Sequence, residues 1–330
     1  MRLEDIGFYT LEDKRAEGLS LTTPLWRCEL LLTNKCNFKC PYCRGLGNDP
    51  EVEQTFESAK RIVDLWCDDG LKNVRFSGGE PTTWRWLNEL VSHARKRGVE
   101  RIAISTNGSK PFDEYERLIE SGVNDFSISL DACCASTGDM MAGGIHGAWQ
   151  RAVENIQKVS QKTYVTVGVV LTEENIAEAE KTIELAYSLG VADIRIISAA
   201  QWNNKEVFAK LKIKDEILTK CKILKYRIEN FKSDRNVRGI TKHDNHRCPL
   251  VVDDMAIKGN KHYPCIIHLR EGGAPIGVVG RNMRKERYEY FLKHDTFTDE
   301  ICRKNCLDVC VEYNNKVASL NKNGLGNFAI

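Results

Sequence analysis

The sequence predicts an α/β protein whose main part is a partial barrel of six strand–helix units. Short β-rich runs alternate with longer amphipathic stretches from about residue 25 to residue 230. This alternation is typical of a parallel sheet covered by helices. Because crossovers between parallel strands are right-handed, the units are expected to form a (β/α)6 partial barrel, with any ligand at the carboxyl ends of its strands.

The individual elements are predicted from the spacing of apolar residues. A short apolar or alternating run indicates a strand, and a period near 3.6 residues indicates a helix. Gly70, Gly98 and Gly190 follow three of the helical stretches as stop signals. The predicted strands cover residues 26–32, 73–76, 101–105, 125–130, 164–170 and 193–197. The predicted helices cover residues 53–67, 84–97, 113–120, 148–159, 172–189 and 205–229.

Composition and pattern divide the 330 residues into three parts. Residues 1–24 form an N-terminal extension, too short for a separate peptide-recognition domain, and residues 25–237 form the barrel. From residue 238 to residue 330, short runs with Gly, Pro and Cys replace the alternation and predict a small C-terminal module. The 48 Lys and Arg residues nearly balance the 46 Asp and Glu residues, so the total charge does not indicate nucleic-acid binding.

Cysteine content and the lack of targeting signals suggest a compartment and a chemistry. No apolar run is long enough to span a membrane, and charges stand where a secretion signal needs apolar residues. We therefore expect a cytoplasmic protein. In that reducing compartment the 13 cysteines are expected to be metal ligands rather than disulfides, and eight of them fall into two groups.

The first group consists of Cys36, Cys40 and Cys43, directly after the first predicted strand. Three thiolates at this spacing suit a [4Fe–4S] cluster that keeps one iron without a protein ligand. A closed zinc site would need a fourth ligand. A zinc site and three unrelated core cysteines remain the alternatives.

This loop resembles the signature of the radical S-adenosylmethionine (radical SAM) enzymes, whose catalytic domain is a partial (β/α)6 TIM-like barrel. In that family the methionine amino and carboxylate groups of S-adenosylmethionine (AdoMet) chelate the spare iron. Tyr42 stands at the aromatic position that packs against the adenine. The resemblance also implies an electron donor such as a flavodoxin or ferredoxin.

Polar motifs follow the next three predicted strands, where the family binds AdoMet. Residues 77–81 read Ser-Gly-Gly-Glu-Pro, in which the glycines permit a close backbone approach and the carboxylate suits the methionine amine. Residues 171–175 resemble a later family motif but equally read as a helix cap. By resemblance, the cofactor-binding residues are Tyr42, Gly78, Gly79, Glu80, Thr106, Asn107, Ser129 and Asp131.

Some of the other cysteines are candidate hydrogen donors. Cys133 and Cys134 follow the fourth predicted strand, and one of them could return a hydrogen atom to a substrate radical, as cysteines do in epimerising family members. Cys221 shares that possibility. A plain buried thiol is the alternative for each, and it is the interpretation of Cys28 and Cys67.

Two further features upstream of Cys248 have a functional and a plain interpretation. His243 and His246 could form a metal or acid–base pair, or they could be incidental residues of a solvated loop. The excess of Lys and Arg over residues 205–247 could attract an acidic substrate, or it could be a solvated helix face.

The second cysteine group predicts a second metal site. Its spacing suggests a β-hairpin followed by a helix, and the last three cysteines are expected to share one helix face. The pattern is similar to the twitch module and to part of the SPASM domain of radical SAM enzymes, which implies one auxiliary [4Fe–4S] cluster; zinc is the alternative. The predicted ligands are Cys248, Cys265, Cys302, Cys306 and Cys310. This is one more than a cube needs, so one of them could be spare or a hydrogen donor.

These features together predict a radical SAM oxidoreductase or epimerase. We expect it to act on a small molecule such as a sugar or aminocyclitol in natural-product biosynthesis. One alternative is a maturase that epimerises or crosslinks a ribosomal peptide. Another is a non-catalytic iron–sulfur or zinc protein that senses redox state or binds a partner.

Overall fold

A computed structural model describes residues 26–44 and 53–322, and one mixed sheet organises this part of the chain. Its first six strands are parallel and neighbours in chain order. The predicted α/β class is confirmed. These strands are β1 (Arg27–Thr33), β2 (Asn73–Gly78), β3 (Arg101–Thr106), β4 (Asp125–Ser129), β5 (Tyr164–Leu171) and β6 (Asp193–Ser198).

Amphipathic helices connect these strands and cover the outer face of the sheet. In α1 (Phe56–Asp68) the buried residues Ala59, Ile62, Val63 and Trp66 share one face, and the Thr55 hydroxyl caps the start by accepting from the backbone N–H of Ser58 at 3.1 Å. The next helices are α2 (Leu87–Lys96), α3 (Phe112–Ser121), α4 (Ala135–Met141), α5 (Ala148–Ser160) and α6 (Ala179–Ser188).

The C-terminal region continues the barrel sheet instead of standing apart from it. Strand β7 (Asp254–Lys258) pairs in parallel with β1. The predicted hairpin follows, since β8 (Lys261–Tyr263) and β9 (Gly277–Val278) extend the sheet in antiparallel fashion. The boundary near residue 238 therefore separates two patterns of sequence, while the sheet runs through both.

Two predicted helices are shorter or more broken than their sequence period suggested. The helix predicted from residue 172 begins at Ala179, because residues 172–175 form a loop that the buried Asn175 side chain ties to the backbone oxygens of Asp131 and Val170, at 2.8 Å each. The helix predicted over residues 205–229 is three helices, α7 (Lys205–Phe208), α8 (Asp215–Lys220) and α9 (Lys222–Lys232).

The prediction that Cys302, Cys306 and Cys310 share one helix face is wrong. The chain leaves the helical conformation at Cys306, which has a ψ of 133°. Two backbone hydrogen bonds to a neighbouring segment hold this break, from Gly239 N to Cys306 O at 2.8 Å and from Asp308 N to Val237 O at 2.9 Å. The last helices are α10 (Ile266–Arg270), α11 (Met283–Lys293), α12 (Glu300–Asn305) and α13 (Asp308–Lys322).

The two faces of the sheet differ in polarity. Alternate strand residues such as Leu30, Phe76 and Phe126 form the apolar core under the helices. The opposite, inner face carries polar and charged side chains, among them Glu29 and Arg75. Within the described residues no helix is long and apolar enough to cross a membrane.

Candidate active site

The loop after β1 presents the first three cysteines at the carboxyl edge of the sheet. Cys36 and Cys43 are exposed and Cys40 is half-buried. The loop is held by backbone hydrogen bonds from Cys43 N to Cys40 O and from Lys39 N to Ala142 O, both at 3.0 Å. Burial and the charge of Asp131 raise the pKa of the Cys40 thiol to about 12.

The paired glycines after β2 let two backbone segments touch. The N–H of Gly79 donates to Thr33 O at 2.7 Å, and the N–H of Glu80 donates to Lys35 O at 2.8 Å. A Cβ atom on Gly78 would lie 2.2 Å from Thr33 O, and one on Gly79 would lie 2.3 Å from Lys35 O. Only glycine therefore allows residues 78–80 to support the segment that enters the cysteine loop.

We expect Gly79→Ala to displace the cysteine loop. The new methyl group must move backbone rather than a flexible side chain, so the variant should lose roughly 1–3 kcal/mol of unfolding free energy and a large part of its cluster iron. Gly280→Ala is the matched control, since the nearest atom to its Cβ is 3.9 Å away. Urea unfolding and iron analysis would measure both effects; a Gly79→Ala protein that equals wild type contradicts this account.

The Glu80 side chain is buried, and its hydrogen bonds stabilise the ends of two strands. Its side chain is 1% exposed. Oε1 accepts from the hydroxyls of Thr82 and Thr106 at 2.7 Å, and Oε2 accepts from the N–H of Asn107 at 2.7 Å. The predicted contact with a methionine amine is therefore not favoured for this carboxylate, whose oxygens join the end of β2 to the end of β3.

Tyr42 and Asp131 join the cysteine loop to the ends of β4 and β5. The Tyr42 hydroxyl donates to Asp131 Oδ2 at 2.5 Å, and the N–H of Val170 donates to Oδ1 at 2.7 Å. Burial raises the pKa of Asp131 to about 6. These bonds fix the orientation of the Tyr42 ring, at the position where the sequence predicts the adenine contact.

A cavity of about 70 Å³ brings together five of the predicted residues. Asn107 lies at its edge, where its Nδ2 donates to Asn37 Oδ1 at 2.9 Å and is 4.0 Å from the Cys36 sulfur. Thr106 is buried beneath it. The predicted residues that line this cavity are Cys40, Tyr42, Asn107, Ser129 and Asp131.

The candidate hydrogen donors do not line this cavity or the larger one described next. Cys133 and Cys134 lie beside Glu178, at 3.5 and 3.8 Å from its carboxylate, and burial together with Glu178 raises the pKa of Cys133 to about 11. Cys221 is buried near Asp193, the first residue of β6. It therefore lies at the amino end of that strand, opposite the cysteine loop, which contradicts its proposed role as a donor.

A second cavity of about 220 Å³ fills the barrel interior. All five C-terminal cysteines line it, although they come from segments far apart in sequence. Burial, with a smaller effect of Cys310, raises the pKa of the Cys248 thiol to about 11. The same cavity contacts arginines on β2, β3 and β6, which the sequence interpretation missed. The sequence signal that could have identified these arginines is a polar residue that recurs at alternate positions of strands that are otherwise apolar.

A histidine–aspartate cluster beside Cys302 was also missed. Asp299 Oδ2 lies 3.3 Å from His268 Nε2 and 3.4 Å from His294 Nε2, and His294 Nε2 is 3.9 Å from the Cys302 sulfur. The histidines singled out from sequence are elsewhere. His243 is exposed, and the His246 ring stacks on Phe297 with ring centroids 4.7 Å apart.

Comparison with known proteins agrees with this geometry. Residues 30–186 match the family model described as the Radical SAM superfamily, so this part of the chain is a radical SAM domain. A probable GTP 3′,8-cyclase of Metallosphaera sedula is 29% identical over 178 residues, 53% of this chain and 56% of that protein. The chain spans about half the length of the curated relatives it matches.

Solved structures share the fold. Native anSMEcpe with bound AdoMet superposes with a TM-score of 0.59 at 13% identity, covering 91% of this chain and 98% of that one. Streptococcus suis SuiB bound to its precursor peptide SuiA gives a TM-score of 0.57 at 16% identity, covering 84% and 66%. At these identities the likeness shows the architecture alone.

Proposed function

We propose that the chain is a radical SAM enzyme that oxidises a small molecule held inside the barrel. The observation that carries the proposal is the cysteine loop, with two exposed thiols and one half-buried thiol, beside Tyr42, Asn107 and Asp131 at the carboxyl ends of the strands. The radical SAM domain over residues 30–186 supports it.

The number of thiols in each group suits a cluster. Cys36, Cys40 and Cys43 supply three thiols for a [4Fe–4S] cluster that keeps one iron free for AdoMet. All five C-terminal cysteines line one cavity, which supplies enough thiols for an auxiliary [4Fe–4S] cluster, and zinc is the alternative there.

When bound, the first cluster and AdoMet would supply a 5′-deoxyadenosyl radical that takes a hydrogen atom from a substrate carbon, and the auxiliary cluster would accept one further electron. The residues of this chain position these partners. Tyr42, oriented by Asp131, would pack on the adenine, and Asn107 and Ser129 would face AdoMet. The barrel wall would keep water from the reacting carbon.

Oxidation fits this arrangement better than epimerisation. An epimerase needs a hydrogen donor that faces the substrate. Cys133, Cys134 and Cys221 do not line either cavity, so that role would fall to a C-terminal cysteine that the auxiliary cluster leaves free. The C-terminal cysteines do line the interior cavity, so a cluster there would be close enough to take an electron from a substrate radical. The charged side chains on the inner face of the barrel, among them Glu29, Arg75 and Arg195, suit a small polar molecule, and a ribosomal peptide is the alternative substrate.

Electron paramagnetic resonance of the reduced, anaerobically reconstituted protein tests the proposal. We expect AdoMet to change the spectrum of one cluster, since it binds the spare iron, and expect 5′-deoxyadenosine to accumulate with a flavodoxin as electron donor. A spectrum that AdoMet leaves unchanged, with no 5′-deoxyadenosine, would instead support a non-catalytic sensor.

A further inference from the structure

Arginines line the interior of the barrel. The side chains of Arg27, Arg75, Arg101, Arg195 and Arg227 all contact the larger cavity. Buried parallel strands usually carry near-continuous apolar runs, so charged residues on their inner face need a physical reason. Guanidinium groups stay protonated in proteins, which makes this interior strongly cationic unless carboxylates balance it.

Three of these arginines each have a carboxylate partner of their own. Such pairs hold the guanidinium in place and cancel its charge, so they are unavailable to a ligand. The pairs are Arg27–Asp254 with an N–O distance of 3.1 Å, Arg227–Asp308 at 3.0 Å, and Arg101–Asp125 in direct contact.

Arg75 and Arg195 bond to neutral groups instead. Arg75 Nη1 donates to Ser105 Oγ at 3.4 Å, and Arg195 Nη2 donates to Ser127 Oγ at 3.2 Å. Within the part of the chain that the structure describes, no carboxylate oxygen lies within 4.0 Å of either guanidinium, and Nε of Arg195 is buried without a hydrogen-bond partner. Burial and the nearby Arg75 lower the pKa of Arg195 to about 10.

Glu29 is the carboxylate in this part of the cavity, and other groups already engage it. Its Oε1 accepts from the Ser77 hydroxyl at 2.6 Å and lies 3.6 Å from Nη2 of Arg270. One carboxylate therefore serves a region with three guanidinium groups. Both Arg75 and Arg195 are half-buried, so leaving their charge unbalanced inside the barrel is costly, and a bound anion reduces that cost.

The serine partners of the two arginines lie close in sequence to the candidate AdoMet pocket. Ser105 and Ser127 each come two residues before Asn107 and Ser129, which line that pocket, and two residues along a strand span about 6.6 Å. An anion held by Arg75 and Arg195 would thus lie on the side of the AdoMet pocket that faces the amino ends of the strands.

We propose that Arg75 and Arg195 bind an oxyanion, a phosphate or a carboxylate, of the small-molecule substrate. That the bound anion belongs to the substrate rests on the proposed function above, whereas the existence of the anion site does not. Planar guanidinium forks match both oxyanions through paired hydrogen bonds. The name of the relative from Metallosphaera sedula, a probable GTP 3′,8-cyclase, refers to a phosphorylated compound of this kind.

The C-terminal thiols have a different arginine beside them. Arg287 is buried, its charge acts on the Cys248 and Cys265 thiols, and it donates to the backbone oxygens of Val251 and Tyr263 at 2.7 and 2.9 Å. Arg75 and Arg195 donate instead to the uncharged hydroxyls of Ser105 and Ser127.

Calorimetric titration of the anaerobically reconstituted protein with pyrophosphate, and separately with citrate, tests the site. We expect Arg75→Gln and Arg195→Gln each to weaken binding of the preferred anion about tenfold or more, since each removes charge-assisted hydrogen bonds. Arg61→Gln, an exposed arginine on α1, makes the same charge change and should bind like wild type. The tighter of the two anions identifies the substrate group as phosphate or carboxylate.

Two results would overturn the proposal: no binding of either anion by wild type, or an unchanged affinity in either Gln variant. If a Gln variant does not fold, as judged by circular dichroism and iron content, Arg195→Lys and Arg75→Lys decide instead. Lysine keeps the positive charge but lacks the paired N–H donors of the guanidinium group. Weaker anion binding is therefore expected, and wild-type affinity in either Lys variant contradicts the site. AdoMet cleavage without substrate is measured in parallel, so failure of the proposed function is seen independently of anion binding.

Discussion

Replacing Cys40 by Ala is expected to abolish formation of 5′-deoxyadenosine. The loop that carries Cys36, Cys40 and Cys43 has three thiols for a cluster that needs all of them, because its fourth iron must stay free for AdoMet. With two thiolates the cube should be lost or unable to hold the sulfonium next to a reducible iron. Anaerobic assays of iron, cluster spectrum and 5′-deoxyadenosine would measure the effect.

Cys67→Ala is the matched control for that experiment. Cys67 is a half-buried thiol on α1, away from the sheet edge that carries the cysteine loop, and its loss should cost only a small amount of packing. Wild-type cleavage in Cys67→Ala together with none in Cys40→Ala would assign the chemistry to the loop. Equal cleavage in both variants would show that Cys40 is not a cluster ligand.

Replacing Cys306 and Cys310 together by Ala is expected to separate cleavage of AdoMet from turnover of substrate. The C-terminal cysteines line the interior cavity and lie apart from the AdoMet pocket. The double variant keeps three of the five thiols, too few for a fully ligated cube, so its iron content should fall from about eight atoms per chain to about four, the content of one cube. 5′-Deoxyadenosine should still form, while the oxidised product should not, because the substrate radical then lacks its electron acceptor.

Cys221→Ala controls for the loss of a buried thiol, since Cys221 lies at the amino end of β6 outside both cavities. Elemental analysis of wild type also discriminates between the two metals proposed for the C-terminal cysteines. About four iron atoms and one zinc ion per chain would show that these cysteines bind zinc and not a second cluster. Equal loss of AdoMet cleavage in the Cys306/Cys310 double variant and in Cys40→Ala would contradict separate roles for the two cysteine groups.

Local sequence was enough to predict the six parallel strands and the position of the cysteine loop. The observed strand β1, Arg27–Thr33, differs by one residue from the predicted strand over 26–32. The glycines at 78 and 79 were likewise recognisable from the motif. These features depend on short-range periodicity and on steric limits of the backbone, which a single segment carries by itself.

The helical regions after β5 and around the last cysteines were predicted less well, because long-range hydrogen bonds compete with helical periodicity. Asn175 binds the backbone of β4 and β5 instead of allowing the helix to start earlier. At Cys306, the bond from Gly239 breaks a helix that the spacing of the cysteines suggested. Neither partner can be identified from the spacing of residues along one segment.

The sequence by itself determined the parallel α/β architecture and the order of the polar strand ends, because both follow from patterns within individual elements. Only the tertiary structure decided which polar groups meet. It placed the five C-terminal cysteines around one cavity, removed Cys221 from the candidate active site, and left Arg75 and Arg195 facing the interior without a carboxylate within 4.0 Å among the described residues. Charge balance is a property of side chains that converge from distant strands, and it exists only after the barrel has formed.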